Sequence, residues 1–152
     1  MWNFEYRKKI GNKAEDLIKR MMEELGFMVI PFGYEYLFPT LANKKKLLKG
    51  QAGDFIRGLP DFIIVDKKTN YTYFIEVKYR RNGEINLDDI AEIPESWVIL
   101  VEYGKISICK AEYAINNPRN ENCFNSLTIN YSPFKDKDKK IILKYVEKTK
   151  EI

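Results

Sequence analysis

A chain of 152 residues, 45% hydrophobic and 14% aromatic, can close one buried core and is too apolar to remain disordered, so a single domain spanning 1–152 is expected. A net charge of +4, with a pI near 8.9, permits a polyanionic partner without demanding one. Histidine is absent, which excludes a Ser-His-Asp triad, a Cys-His nucleophile pair, an HExxH zinc site and a histidine-based nuclease; hydrolysis must run on carboxylates, lysines and a metal held by oxygen.

Ile10, Ala14, Leu17, Ile18, Met21, Met22 and Leu25 recur at three- and four-residue steps, which predicts an amphipathic helix over Lys8–Leu25. Gly26 stands where a left-handed C-cap belongs, and Phe27–Pro31 reads as a short strand. The charged residues between Met1 and Lys9 carry no signal-peptide core, and no apolar run approaches the roughly 20 residues that span a bilayer. No membrane partner is expected, and the expected location is the cytoplasm, that of a host if the chain is of phage or viral origin.

From Phe32 to Gly58 the periodicity breaks down. Phe32, Tyr34, Tyr36 and Phe38 interleave with Gly and Pro, a basic cluster of Lys44, Lys45, Lys46 and Lys49 follows, and only Leu41–Leu48 has a helical look. An irregular stretch of this length inside a domain is often functional. Asp61–Asp66 and Tyr71–Tyr79 then read as two strands of a hairpin around the polar turn Lys67–Asn70. A short helix over Asn86–Ile93, ended by Pro94, precedes a second strand pair, Trp97–Glu102 and Lys105–Lys110, around Gly104. Ala111–Ile115 reads as a helical turn, Asn116–Asn125 as a loop, Leu127–Tyr131 as a late strand and Lys139–Glu151 as a charged amphipathic tail. Cys109 and Cys123 belong to no Cys-x-x-Cys pair and read as free thiols, Cys109 buried in its apolar strand. The order of elements predicts an α/β fold, a central mixed β-sheet flanked by helices.

The residues with chemical potential are Gly58-Leu59-Pro60-Asp61 and Phe74-Ile75-Glu76-Val77-Lys78. Side chains alternate along a strand, so Glu76 and Lys78 project from one face while Ile75, Val77 and Tyr79 project from the other. Asp61 opens the neighbouring strand, and the hairpin brings its carboxylate towards Glu76. Adjacent carboxylates repel, and a divalent cation relieves that repulsion. Mg²⁺ takes oxygen ligands, keeps several waters and needs only one or two carboxylates beside a phosphate. Asp61, Glu76 and the Val77 carbonyl are therefore the candidate ligands, and Lys78 is placed to orient an attacking water or neutralise a phosphate.

Taken singly, each signal has an ordinary reading. Pro-Asp before a strand is a common turn, and Glu-x-Lys in a strand is often a solvated face or a cross-strand ion pair. Their combination in a strand with apolar residues on both faces, as a buried central strand would have, is what raises them, because a charge pair there needs a partner or a task.

The pattern Pro60-Asp61, then Glu76-Val77-Lys78, resembles the PD-(D/E)xK nuclease superfamily of restriction enzymes, archaeal Holliday-junction resolvases and repair nucleases. Upstream, Gly11-Asn12-Lys13-Ala14-Glu15 and Gly26-Phe27 resemble the first helix of the resolvase-like branch, in which a helix glutamate lies near the metal; Glu15 holds the matching position. The resemblance covers roughly Gly11 to Arg80. It implies a restriction-endonuclease-like core, Mg²⁺ or Mn²⁺ as cofactor, no small-molecule cofactor, DNA as partner, and a catalytic set of Asp61, Glu76, Lys78 and Glu15. A homodimer is implied as well, since resolvase-like relatives make two cuts with two sites. The Gln or Lys that often follows the E-x-K strand is missing here, leaving that role unfilled or moved to Arg80 or Arg81.

For nucleic-acid contact the candidates are Lys44, Lys45, Lys46, Lys49 and Arg57 along a phosphate backbone, with Tyr34, Tyr36 and Phe38 against bases, and a basic edge of Tyr79, Arg80 and Arg81. Asp88, Asp89, Glu92 and Glu95 read as a solvated acidic helix face. Two other functions compete: a DNA-binding module with the same fold and no catalysis, and an interaction protein whose charges form a surface network.

Overall fold

In a computed structural model, which describes residues 4–37, 39–42, 48–81, 90, 93–116 and 123–152, the apolar stripe from Ile10 to Leu25 lies along helix α1 (Phe4–Glu24) and its continuation, and all seven of its residues are buried. The helix begins a turn ahead of the expected Lys8, with Glu5 in the first turn, where the helix dipole favours an acid. Gly26 ends it at φ +98°, its N–H donating to the Glu23 carbonyl at 3.1 Å, and strand β1 (Phe27–Pro31) follows directly.

The stretch read as irregular contains two helical turns, α2 (Tyr34–Leu37) and α3 (Pro39–Ala42), and a short helix α4 (Gly50–Arg57). The helix expected over Leu41–Leu48 falls largely on residues 43–47, outside the described ones, and α4 starts after it. Strands β2 (Phe62–Asp66) and β3 (Thr72–Tyr79) form the expected hairpin. Its turn closes with the Asn70 N–H donating to the Asp66 carbonyl at 2.8 Å, and Asn70 itself adopts φ +63°, which Asn tolerates well. Strands β4 (Ser96–Glu102) and β5 (Lys105–Lys110), helix α5 (Ala111–Asn116), the two-residue strand β6 (Asn125–Ser126), helix α6 (Lys139–Lys148) and a 3-10 turn (Thr149–Glu151) complete the described chain. Asp138 caps α6 by accepting from the Lys140 N–H at 2.8 Å.

The sheet runs in the order β1-β2-β3-β4-β5-β6, with β3 and β4 parallel and every other pair antiparallel. The chain is thus an α/β protein with a mixed sheet between helices. One face packs Ile75, Val77, Ile99 and Val101 against Ile18, Met21 and Met22 of α1 and Ile142 and Tyr145 of α6. The other gathers Val98 and Cys109 with Ala111 and Ala114 of α5. Pro31, which cannot donate to a ladder, sits in β1 at the sheet's edge.

Two expectations need correction. Leu127–Tyr131 is not a strand: the ladder with β5 is limited to Asn125 and Ser126, after which the Ile129 N–H turns back to the Ser126 carbonyl at 3.1 Å. Leu127 and Ile129 pack into the core individually, which mimics strand alternation in the sequence. The strand buried on both faces is β4, whereas β3 buries Ile75 and Val77 and leaves the Glu76–Lys78 face partly open. The expected helix Asn86–Ile93, with Asp88, Asp89 and Glu92, lies almost wholly outside the described residues, as do Phe38, Lys44, Lys45, Lys46 and residues 117–122 of the expected loop. Glu95 is described and exposed. Among the described residues no helix is long and apolar enough to cross a membrane.

Candidate active site

The β2–β3 ladder stops at the pair Phe62 and Ile75. One residue further on, Asp61 faces Glu76, and the strands part. The Val77 N–H, which would otherwise continue the ladder, donates instead to the Asp61 carboxylate at 2.8 Å. The Asp61 carbonyl in turn accepts from the N–H groups of Phe32 and Gly33 at 2.9 and 3.2 Å, so the end of β1 clamps the start of β2. Three hydrogen bonds thereby fix the one residue around which the sheet opens. A residue's N–H and C=O project to the same side of a strand, so the Val77 carbonyl also points into this gap.

The opening is the floor of a cavity of about 540 Å³. Glu15, Asp16 and Lys19 line it from α1, Gly33 to Tyr36 from α2 and its approach, Arg57 from α4, and Asp61, Glu76, Val77 and Lys78 from the parting strands. Because the sheet splits here, groups from both of its faces reach one space: Glu15 from the side covered by α1, and Glu76 and Lys78 from the opposite side. Lys78 Nζ lies 3.7 Å from Glu76 Oε1.

Electrostatically the cavity is acidic. Five carboxyl groups (Glu15, Asp16, Glu35, Asp61, Glu76) meet three cations (Lys19, Arg57, Lys78). Burial, then the charges of Asp61 and Glu35, push the Glu15 carboxyl up to about 8. Asp61, only partly reached by solvent, is raised to about 6 by burial, against the Val77 hydrogen bond and the Lys78 charge that pull it down. The two carboxyls share a hydrogen bond, and the pair carries less negative charge near neutrality than two free carboxylates would.

The donors present could hold a hard divalent cation. Every donor is a hard oxygen, and the suppressed ionisation of the Glu15–Asp61 pair is what a cation would reverse. Among the described residues no three acidic or sulfur side chains converge as a ready cage. An ion held here would have to complete its shell with the Val77 carbonyl and water.

The nucleic-acid candidates separate. Arg57 lines the cavity, its guanidinium bonded to Asp54 and to the Gly53 carbonyl. Lys49 is exposed at the N-cap of α4. Tyr79 packs against the core, on the side away from Glu76. Arg80 is held by Glu102, Nη2 and Nε donating to the same Oε2 at 2.7 and 3.1 Å. Arg81 is exposed, and neither arginine lines the cavity. Three charged lining residues, Asp16, Lys19 and Glu35, escaped the sequence reading. Lys19 is four residues beyond Glu15 on α1, a spacing that places both on one helix face, and that signal was available. Glu35 sits in the aperiodic stretch, where nothing marks its direction. No protein-family model, curated protein or solved structure matches this chain.

Proposed function

We propose that the protein is a metal-dependent DNA nuclease of the PD-(D/E)xK type, with a restriction-endonuclease-like core, hydrolysing phosphodiester bonds as an endonuclease, with branched DNA among its candidate substrates. The carrying observation is the parted hairpin: Asp61 bonded to the Val77 N–H at 2.8 Å, with Glu15, Glu76 and Lys78 lining the same recess. Strand-end carboxylates that simply decorate a surface need no such clamp. An acidic recess also repels phosphate by itself, so binding DNA there calls for a cation first.

Asp61, Glu76 and the Val77 carbonyl would hold Mg²⁺ or Mn²⁺, with Glu15 as a direct or water-mediated ligand. When bound, the ion supplies Lewis acidity at the phosphoryl oxygen and lowers the pKa of its water. Lys78 orients the attacking water and offsets charge growing on the phosphate. Glu76 keeps the Lys78 ammonium beside the reaction centre. Glu15 would have to be ionised to serve as a ligand, so its proton would go to solvent. A homodimer acting in the cytoplasm belongs to the same reading.

The test is cleavage of labelled duplex, single-stranded, flap and four-way-junction DNA with Mg²⁺ or Mn²⁺, with EDTA, and with Glu76→Ala protein. Metal-dependent cuts absent from the variant are expected. Tight binding without cuts under any metal would leave a DNA-binding module of the same fold, and neither binding nor cutting would defeat both readings.

A further inference from the structure

Helix α2 carries two tyrosines with opposite fates. Tyr34 is buried, 3% exposed, and anchors the turn, whereas Tyr36 is 64% exposed although it lines the candidate cavity. What sets Tyr36 apart from the similarly exposed Tyr71 and Tyr103 is that it lines this recess, where a flat ligand would find a ring to stack on. Two cations, Lys19 and Arg57, line the same recess, as do the carboxylates and Lys78. Its volume of about 540 Å³ lies in the range that admits one small organic ligand. It far exceeds what a hydrated cation and one phosphate group need.

We infer that the recess takes one unpaired nucleotide of a DNA strand, its base stacked on Tyr36 and its phosphate at the Asp61–Glu76 end, so that the substrate is single-stranded DNA or the unpaired tract of a branched molecule. This rests on the nuclease reading above and narrows its substrate. A paired base lies inside the duplex stack with both faces covered, so it has no face to give Tyr36. An unpaired strand also bends freely enough to carry a phosphate into a recess walled by α1, α2 and α4. Stacking accepts any base, which predicts tolerance of sequence.

The test uses the full chain carrying Lys78→Gln, which keeps every proposed metal ligand and should not cut, and measures anisotropy of fluorescein-labelled ten-nucleotide oligothymidylate and of a blunt duplex of equal length, both with Mg²⁺. Preference for the single strand is expected, with Tyr36→Ala weakening it roughly ten- to a hundredfold, the usual effect of removing one stacking ring. Tyr36→Trp should restore binding, which a merely structural tyrosine would not permit. Since Tyr36 is exposed, unchanged melting temperatures will show that the fold is intact. Equal affinity for both DNAs, or no effect of Tyr36→Ala, overturns the inference. A parallel cleavage assay with the Tyr36→Ala variant and otherwise native chain keeps the two readings apart. Metal-dependent cutting indifferent to Tyr36 sinks the stacking site alone. Tyr36-dependent binding without cutting in the native chain sinks the nuclease and keeps the single-strand site.

Discussion

The end of β3 carries two ion pairs of similar burial and opposite character. Lys78 and Glu76 have side-chain exposures of 22% and 14%, Arg80 and Glu102 of 12% and 21%. The arginine pair is tight, two guanidinium nitrogens on one carboxylate oxygen, with the Arg80 N–H also extending the ladder to the Val101 carbonyl at 2.9 Å. The lysine pair is 3.7 Å apart, too long for a hydrogen bond between those atoms, and it opens onto the acidic recess. Charge in a half-buried strand is therefore not informative alone. The directional geometry of the fork marks a structural tie, while the longer pair faces a recess that other carboxylates also line.

That contrast predicts the largest effects. Glu76→Ala or Lys78→Ala should reduce metal-dependent cleavage on the order of a thousandfold, with the melting temperature within a few degrees of the native value. Arg80→Ala should do the reverse: a loss of about 2 kcal/mol of stability, because Glu102 keeps its charge without the fork, and near-native cleavage per folded molecule. Kinetics and thermal melting on all three variants separate the pairs. Cleavage lost in Arg80→Ala at unchanged stability would show that the arginine has taken on the missing assisting role, and the distinction would fail.

A second contrast appears on titration. Glu15 and Asp61 are both raised above their ordinary values, so the folded metal-free protein binds more protons than the unfolded chain between about pH 4 and 8. Stability is then fully present below the unfolded carboxyl values and is lost as pH rises towards 8. Thermal melts in EDTA should fall across that window, and Mg²⁺ or Mn²⁺ should flatten the fall by binding the ionised form. Glu15→Gln, which keeps hydrogen-bonding capacity without the charge, should raise the melting temperature at pH 8 in EDTA while lowering cleavage. A pH-independent melting temperature in EDTA would mean that the two carboxyls do not suppress each other's ionisation.

The legibility of the molecule follows the same division. Periodicity located α1, and Gly26, the hairpin turn and the β4–β5 pair were readable because each depends on neighbours in sequence. The placement of Glu76 and Lys78 on one face followed from strand alternation. What escaped the sequence depends on residues far apart in the chain. The parting of β2 from β3 arises because the Asp61 side chain takes the Val77 N–H, 16 residues on. Leu127 and Ile129 alternate like a strand but are drawn into the core one at a time. Glu35 reaches the site only because α2 folds over it. Gly53 escaped through a contact nearer in the chain, with Leu48. A Cβ there would lie 2.9 Å from the Leu48 carbonyl carbon, a contact that composition does not announce. Gly53→Ala should therefore cost about 1–3 kcal/mol despite alanine's better helix propensity. A stability gain in urea titration would mean that Leu48 yields easily.

The smallest expected effect comes from a third pair, Asp66 and Lys137, which joins the end of β2 to the loop before α6 at 2.8 Å, both side chains 14% exposed. The Lys137 hydrogen bond, opposed by some burial and helped by the Lys68 N–H, holds the Asp66 carboxyl below its ordinary value. The sign here is opposite to that at the site. Stability from this pair is present above the unfolded carboxylate value and is lost as pH falls through the lower folded one. Lys137 also lies 4.6 Å over the Phe27 ring, so the ammonium keeps one favourable contact if the carboxylate is removed. Asp66→Asn, which keeps an oxygen to accept from Lys137, should thus cost only about 1 kcal/mol at pH 7. At acid pH, with Asp66 protonated in both states, the variant and native chains should melt together. If they differ equally at both ends of the range, the aspartate acts through shape and its turn hydrogen bond to Lys68, and charge plays no part in fastening this corner of the sheet.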